Sequence, residues 1–219
     1  MEFKPVYWKE DTLVGHKVET DDFIVFFGNA EGSEERLKEL YPSLTFRFLK
    51  QVHGHALVSS KPESLEADGH FTDTSGVALC INTADCVPVM LVRENFIYAL
   101  HCGWRGVEQK LAVVAREHDP SPIQQAFIGP HILYTHFEVG NDVAERLEKD
   151  YQGMVEARYR HPDPEKSYID LSAIIQDQLQ IEDDDDFIML AHNTLTDEAY
   201  NSYRRDKKVA RNISFMAFK

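Results

Sequence analysis

The stretch GVALCINTADCVPVMLVRENFIYALHCGW, residues 76–104, is the most hydrophobic part of this sequence and constrains the fold more than any other segment. Its apolar runs are short, and polar turn residues separate them. Runs of this length predict buried strands rather than helices. We therefore expect a strand, a loop, a second strand, a turn at residues 94–95 and a third strand.

Strand patterns also occur on both sides of this segment, as short apolar or alternating runs bounded by turn residues. They are FKPVYW at residues 3–8, DDFIVFFG at residues 21–28, QAFIGP at residues 125–130, FIMLAHNT at residues 187–194 and ISFMAF at residues 213–218. Residues 44–59, LTFRFLKQVHGHALVS, predict a pair of strands around a turn at Gly54. The next segment, residues 60–76, is rich in turn residues and predicts an exposed loop.

Helical patterns are fewer than strand patterns. A short helix is predicted within residues 29–42, with Ser33 as its N-cap. From Trp104 onward, apolar residues recur at spacings of three and four, as on one face of a helix. The remaining predicted helices are residues 141–151, with Asn141 as the N-cap, and residues 168–181.

The order of these elements indicates the fold class. Strands outnumber helices and do not alternate with them regularly, which favours an α+β fold over a doubly wound parallel sheet. We expect mixed β-sheets flanked by helices. No repeat, low-complexity linker or change of composition divides the sequence, so residues 1–219 are predicted to form a single domain.

The charge balance restricts the partners of this chain. It has 219 residues with 37 acidic and 23 basic side chains, which gives a formal net charge of −14. Phosphate backbones and anionic membranes repel such a chain, so we expect no nucleic acid and no membrane partner. A local cluster of basic residues can still bind a small anion. The expected partners are small molecules, and monomer and homodimer are both left open.

Cysteine usage indicates a reducing compartment. The three cysteines are Cys80, Cys86 and Cys102, an odd number in a chain large enough to need no disulfide framework. No signal-peptide pattern opens the sequence, and the apolar runs are far shorter than the ~20 residues of a membrane helix. We expect a soluble cytoplasmic protein in which Cys80 and Cys102 belong to the core.

Three segments place metal-binding or nucleophilic side chains beside turn residues at predicted strand ends. They are QVHG, TADCVP and HCGWRG, which contain His53, Cys86 and His101. Two imidazoles and a thiolate suit Zn²⁺, and three protein ligands leave a fourth position for water or substrate. The alternative is structural, because single histidines in apolar regions are usually hydrogen-bonded and free cysteines often pack as small hydrophobes.

The motifs also resemble a known family. QVHG, ADGHFT, TADCVPV, HCGWRGV, IGPHI, FEVG and SYRRD occur in this order between about Gln51 and Arg211. They are similar to those of the YfiH family, also called laccase-domain or multicopper polyphenol oxidoreductase proteins. The resemblance implies a zinc site formed by His53, Cys86 and His101. It also implies a fold related to the deamidase domain of cytotoxic necrotizing factor toxins.

The family resemblance implies purine nucleoside chemistry, namely phosphorolysis of nucleosides and deamination of adenosine. Deamination needs an activated water at C6 of adenine, and Asp85 or the Cys86 thiolate is placed to carry a proton. Phosphorolysis needs positive charge for the phosphate, for which the candidates are Arg105, Arg204 and Arg205. For Arg204 and Arg205, surface ion pairing is the structural alternative. Trp104 either stacks on a base or packs in the core.

Other functions remain open at this stage. Cys86 and His101 are also the pair that a thiol hydrolase needs as nucleophile and base, without metal. Relatives linked to peptidoglycan make hydrolysis of cytoplasmic UDP-linked peptidoglycan precursors a further alternative, and an inert zinc-binding module is a third. Copper would bind the same donors more tightly than zinc. However, 10 histidines with one His-x-His pair, His53 and His55, are too few for a multicopper centre.

Overall fold

A computed structural model describes residues 1–60, 66–151 and 161–219 of the chain. Its strands are β1 (Lys4–Trp8), β2 (Thr12–Glu19), β3 (Phe23–Gly28), β4 (Thr45–Phe48), β5 (Leu57–Ser59), β6 (Gly69–Thr72), β7 (Val77–Thr83), β8 (Val87–Val92), β9 (Ile97–Cys102), β10 (Gln125–Ile128), β11 (Glu138–Gly140), β12 (Lys166–Tyr168), β13 (Phe187–Met189) and β14 (Asn212–Phe218). Its α-helices are α1 (Glu34–Leu40), α2 (Trp104–Glu108), α3 (Leu111–Glu117), α4 (Asn141–Glu148), α5 (Leu171–Leu179) and α6 (Tyr203–Asp206).

The strands form two mixed six-stranded sheets and one small two-stranded sheet. The first sheet has the order β1-β2-β3-β14-β7-β4 and the second has the order β13-β10-β8-β9-β6-β5. Within them, β4 pairs with β7, β5 with β6 and β10 with β13 in parallel, whereas the other pairs are antiparallel. The predicted α+β class with mixed sheets is confirmed.

The two large sheets pack face to face and carry helices on their outer sides. Because neighbouring residues of a strand point to opposite faces, Met90 of β8 packs against the first sheet while Leu91 packs against α3 and α5. Helix α1 covers the outer face of the first sheet. The molecule is therefore layered as helix, sheet, sheet, helices. No helix in the described residues is both long and apolar enough to span a membrane.

Several local predictions are confirmed. The three strands β7, β8 and β9 account for the hydrophobic segment, and Arg93 and Phe96 close its turn. The Ser33 side chain accepts a hydrogen bond from the Arg36 amide at the start of α1. Cys80 and Cys102 are fully buried and free, and burial raises the pKa of both thiols.

Other local predictions are wrong, chiefly where long-range pairing decides the structure. Strands β4 and β5 do not pair with each other; they lie in different sheets. The predicted loop at residues 60–76 contains the largely buried strand β6, and residues 61–65 of that segment lie outside the described residues. The strand predicted at residues 187–194 is shorter than expected. It is β13, which has three residues and lies at the edge of the second sheet.

The helix boundaries also differ from prediction at two places. The helix expected from Trp104 onward is broken into α2 and α3, because Lys110 adopts a left-handed conformation with φ of 65°. The N-cap of α4 is Gly140 rather than Asn141. The Asn141 amide instead donates to the carbonyl of Pro164, which ties the start of α4 to the segment before β12.

Candidate active site

The chain crosses from the first sheet to the second at two loops, and both loops meet at the end of β9. The loop between β4 and β5 carries His53, and the loop between β7 and β8 carries Cys86. His101 is the penultimate residue of β9. Side chains that are far apart in sequence are therefore brought together where the two sheets adjoin.

His53, Cys86 and His101 form one compact cluster. One ligand atom from each lies within 4.8 Å of the others, and the two imidazole rings meet edge to face at 4.8 Å. Ligand atoms about 2.0–2.3 Å from a tetrahedral zinc ion are about 3.3–3.8 Å apart, so the three side chains would need to close in by at most about 1 Å around an ion. Among the described residues, no other group of three such side chains has this spacing. His55 stays apart and contacts Gln109 at 2.8 Å.

The Asp68 carboxylate holds two of these three residues in position through hydrogen bonds. Its Oδ1 accepts hydrogen bonds from His101 Nδ1 at 2.7 Å and from the His53 amide at 2.9 Å. Its Oδ2 accepts from the amides of Val52 and Gly54 at 3.1 and 2.7 Å. Asp68 is fully buried. With its Nδ1 proton held by this carboxylate, His101 presents Nε2 to the cluster.

Sequence reasoning did not select Asp68 as a site residue. It lies in the ADGHFT motif immediately before β6, in the segment predicted to be a loop. Hydrogen bonds from His101 and from backbone amides outweigh the effect of burial and hold the pKa of the Asp68 carboxyl below its usual value. The signal that could have identified Asp68 was the position of a charged residue within a family motif, next to Gly69.

Two residues in these loops have left-handed backbones that are uncommon outside glycine. His53 has φ of 61° and Asp85 has φ of 94°. The carboxylate of Asp68 stabilises the first conformation, because it accepts the amides on both sides of His53 and that of His53 itself. Strained backbone of this kind is frequent at functional sites.

The thiol of Cys86 is poised to ionise. Burial raises its pKa, but the charge of His101 and hydrogen bonds with His101 and His53 outweigh that effect and lower the pKa to about 6. Burial lowers the pKa of His101, yet Cys86 and Asp68 together raise it to about 9. In the metal-free protein near neutral pH, Cys86 is therefore a thiolate paired with a protonated His101.

Gly103 leaves room for the cluster because it has no side chain. A Cβ atom at this position would lie 3.1 Å from Cys86 Sγ and 3.2 Å from His53 Cδ2. Both distances are tighter than ordinary van der Waals contacts. The glycine also serves as the N-cap of α2, so the helix starts directly against the cluster.

The cluster opens into a cavity of about 820 Å³, within the usual size range of ligand pockets. Three aromatic residues, four cationic residues and a single carboxylate form much of the remaining wall. These are Trp104, Phe137, Tyr203, Arg105, Arg204, Lys207, Arg211 and Asp85. On a chain with a net charge of −14, this pocket is locally cationic.

The predicted substrate-binding arginines have different positions. Arg105 and Arg204 line the cavity, and the guanidinium of Arg105 lies 4.7 Å from the centre of the Trp104 ring. Arg205 is not part of the cavity wall. Its guanidinium is held by the carbonyls of Thr194 and Tyr200 at 2.8 and 2.7 Å and by an ion pair. Arg205 therefore lies outside the cavity wall, where its side chain joins neighbouring backbone segments.

Asp85 lines the cavity but already accepts two hydrogen bonds. Its Oδ1 accepts from the hydroxyl of Thr194 at 2.9 Å, and its Oδ2 accepts from the amide of Arg204 at 2.6 Å. Its carboxylate thereby joins the loop that carries Cys86 to the segment that carries Arg204. The wall residues Phe137, Tyr203, Lys207 and Arg211 were not predicted. Phe137 and Tyr203 lie within the FEVG and SYRRD motifs, whereas Lys207 and Arg211 lie beyond the second of these.

Comparison with known proteins agrees with this arrangement of motifs and sheets. Residues 30–219 match the family described as multi-copper polyphenol oxidoreductase laccase. The purine nucleoside phosphorylase YfiH of Escherichia coli (strain K12) is 30% identical over 204 residues, which cover 86% of this chain and 82% of that protein. The adenosine deaminase RL5 of an unknown prokaryotic organism is 34% identical over 113 residues, which cover 48% of this chain and 43% of that protein.

A solved structure extends the likeness to the whole fold. The crystal structure of YlmD from Geobacillus stearothermophilus superposes with a TM-score of 0.81 and covers 98% of this chain and 100% of that chain. At 21% identity, this likeness shows a shared fold. The extent of the sequence match and the identity to the Escherichia coli protein go further: this chain belongs to the multi-copper polyphenol oxidoreductase laccase family, the YfiH family that its motifs resemble.

Proposed function

We propose that this protein is a zinc-dependent purine nucleoside phosphorylase that also deaminates adenosine. The observation that carries the proposal is the cluster of His53, Cys86 and His101 facing a cationic, aromatic-lined cavity. Relatives that match this chain are named for these two activities. Nucleosides and inorganic phosphate are the small-molecule partners that such an enzyme requires.

The three side chains fit a metal ion by donor type and spacing. A thiolate and two imidazoles within 4.8 Å of one another are ligands that zinc prefers in proteins. Copper would bind the same donors, so the choice of zinc follows from donor type and from the absence of a second such group among the described residues. Bound zinc would supply Lewis acidity at a fourth position that faces the cavity.

The cavity wall supplies what phosphorolysis needs from the protein. In that reaction a phosphate oxygen bonds to C1′ of the ribose, and the bond from C1′ to the base breaks with its electron pair leaving on the base. We assign the phosphate to Arg105 and Arg204, which bring positive charge to the cavity. Trp104 and Phe137 add aromatic surface to the same wall, with the Arg105 guanidinium over the Trp104 ring and the Arg204 guanidinium over the Phe137 ring, so a purine would contact these rings beside the phosphate-binding groups.

Asp85 takes a positioning role in this proposal. Both of its carboxylate oxygens already accept hydrogen bonds, one from Thr194 and one from the Arg204 amide. A carboxylate used in this way fixes the segment that carries a phosphate-binding arginine. Its predicted role as a proton carrier in deamination is a separate hypothesis, which the kinetics of an Asp85 variant would distinguish.

One observation favours a second function, a thiol hydrolase that needs no metal. Cys86 pairs with His101, and Asp68 holds the other nitrogen of that ring at 2.7 Å. This is the order of nucleophile, base and orienting carboxylate found in cysteine hydrolases. Amides are the substrates for such a site, and UDP-linked peptidoglycan precursors are one class to test.

Product analysis tests the proposal directly. Zinc-loaded protein is incubated with adenosine or inosine, with and without phosphate, and the products are separated by chromatography. We expect free base and ribose 1-phosphate only when phosphate is present, and inosine from adenosine. A Cys86→Ser variant and a sample stripped by chelator should both be inactive. Amide hydrolysis that survives the chelator but not Cys86→Ser would support the thiol hydrolase and contradict the zinc proposal.

A further inference from the structure

We propose that Lys207 and Arg211 form an anion subsite at the cavity wall that binds the phosphate ester of a phosphorylated nucleoside. The inference rests on the proposed function for the position of the nucleoside, and it names nucleoside monophosphates as a ligand class of the same cavity. The ester is bound and stays intact. It is distinct from the inorganic phosphate that we assign to Arg105 and Arg204.

The two cationic groups are gathered around one aromatic ring of the cavity. Lys207 Nζ lies 5.4 Å from the centre of the Tyr203 ring, and the Arg211 guanidinium carbon lies 5.8 Å from it. All three residues line the cavity that contains the zinc ligands. Tyr203 keeps 50% of its surface exposed, so a ligand can contact the ring and both cations together.

The local backbone keeps these residues at the wall. Lys207 ends α6 in a left-handed conformation with φ of 56°, which turns the chain immediately after the helix. Arg211 Nη1 donates to the carbonyls of Lys208 and Ala210 at 3.0 and 2.9 Å. These bonds hold one end of the guanidinium against its own loop.

Among the described residues, neither cation has an acidic partner, although acidic residues of the full chain outnumber basic ones 37 to 23. Several other lysines on the described surface do pair with carboxylates, as Lys110 does with Asp150 and Lys166 with Glu138. Within the described residues, no carboxylate oxygen lies within ion-pair distance of Lys207 or Arg211. The neighbouring Asp206 is held by Arg205.

The charge on the wall exceeds what a single phosphate needs. We assign inorganic phosphate to Arg105 and Arg204, which leaves two further cations beside an exposed aromatic ring. An anion bound by Lys207 and Arg211 would form charge-assisted hydrogen bonds, the strong class of such contacts. When a nucleoside monophosphate and inorganic phosphate are bound together, the ester contacts Lys207 and Arg211 while the inorganic phosphate contacts Arg105 and Arg204.

Calorimetric titration of the zinc-loaded protein provides the test. The probes are adenosine, adenosine 5′-monophosphate and ribose 5-phosphate, each at low and high salt. We expect the monophosphate to bind about 10- to 100-fold more tightly than adenosine at low salt, and this advantage to shrink as salt is added. Ribose 5-phosphate should bind more weakly than the monophosphate, because it lacks the base that stacks in the cavity.

Charge-removing variants locate the subsite. Lys207→Gln combined with Arg211→Gln should remove most of the advantage of the monophosphate and change the affinity for adenosine by a much smaller factor. Lys208→Gln is the matched control, since Lys208 is exposed, lies between them in sequence and is not part of the cavity wall. Equal affinities for adenosine and its monophosphate, or an equal loss in the control variant, would overturn the subsite.

These outcomes separate the subsite from the proposed function. Turnover of adenosine without preferential binding of the monophosphate would leave the enzyme proposal intact and remove the subsite. Binding of the monophosphate that depends on Lys207 and Arg211, without turnover of any nucleoside or nucleotide, would support the subsite and contradict the enzyme proposal. Equally tight binding of ribose 5-phosphate would assign the subsite to sugar phosphates and overturn its assignment to nucleotides.

Discussion

Asp68 Oδ1 accepts a hydrogen bond from Nδ1 of His101 at a distance of 2.7 Å. The same carboxylate accepts the amide of His53, so one buried residue fixes the ring of one proposed zinc ligand and the backbone of another. Such partners behind a metal ligand orient it and increase its basicity. Two of the three proposed ligands are therefore held in position by the protein itself.

Substitution Asp68→Asn should therefore weaken zinc binding. The amide cannot accept all the hydrogen bonds that the carboxylate accepts, and it removes the negative charge behind His101. We expect a decrease of about 10- to 100-fold in zinc affinity, measured by competition with a chelating dye. Glu66→Gln is the control. Glu66 lies two residues away, its side chain is exposed and pairs with Lys50, and its substitution should not change zinc affinity. Unchanged zinc affinity in Asp68→Asn would remove Asp68 from the site.

Gly103→Ala should disturb the cluster with little effect on the rest of the fold. The added methyl group would lie 3.1 Å from Cys86 Sγ and 3.2 Å from His53 Cδ2, so both side chains must move by a few tenths of an ångström. We expect lower zinc affinity and lower turnover with a nearly unchanged far-ultraviolet spectrum. Gly54→Ala is the matched control, because a Cβ there meets its neighbours at ordinary distances of 3.6 and 3.7 Å. Equal effects of the two variants would contradict this argument.

The reactivity of Cys86 in the metal-free protein should depend on pH around its lowered pKa of about 6. Below that value the thiolate gains a proton, so the rate of alkylation by iodoacetamide should decrease about tenfold per pH unit. Mass spectrometry of the alkylated chain assigns the reaction to Cys86, because Cys80 and Cys102 are fully buried. A rate that begins to fall only below the ordinary thiol pKa, near 8.5, would contradict the thiolate assignment.

The same ion pair should make the metal-free protein most stable near neutral pH. The pKa of Cys86 is lower in the folded state than in the unfolded state, so its contribution is lost as the pH falls through about 6. The pKa of His101 is raised to about 9, so its contribution is lost as the pH rises through that value. Urea unfolding of the metal-free protein and of Cys86→Ser across this range measures the difference. A difference that does not vary with pH would exclude the ion pair.

Asp85→Asn distinguishes a positioning role from a proton-carrying one. If Asp85 positions Arg204, the variant should raise the KM for phosphate about tenfold, Arg204→Gln should do the same, and the double variant should be little worse than either. Asparagine also tolerates the left-handed backbone at this position. Steady-state phosphorolysis at varied phosphate concentration provides the measurement. A lower kcat with an altered pH profile and unchanged KM would instead support proton transfer by Asp85.

The fold class and the three proposed ligands could be predicted because their signals are local. Short apolar runs in β7, β8 and β9 have the length of strands, and each ligand follows or ends such a run within a distinctive motif. Resemblance to the family then united the three motifs. The pairing of β4 with β7 and of β5 with β6 could not be predicted, because both pairs are fixed by distant neighbours.

The remaining site residues were missed for a similar reason. Asp68 acts through backbone amides in a different loop, and nothing in its own segment shows that those amides point towards it. Lys207 and Arg211 follow the SYRRD motif and reach the cavity only because α6 packs beside the Cys86 loop. The break between α2 and α3 was hidden because apolar spacing continues through Lys110.

The position of β14 determines when this cavity can first exist. This strand lies between β3 and β7, and Phe218 pairs with Phe23 from near the opposite end of the sequence. While the chain is being synthesised, the first sheet lacks an inner strand until residues 212–218 have left the ribosome. The loops that carry the proposed zinc ligands are therefore made well before the wall that faces them is anchored. We therefore expect the cavity to become complete only when β14 has paired with β3 and β7.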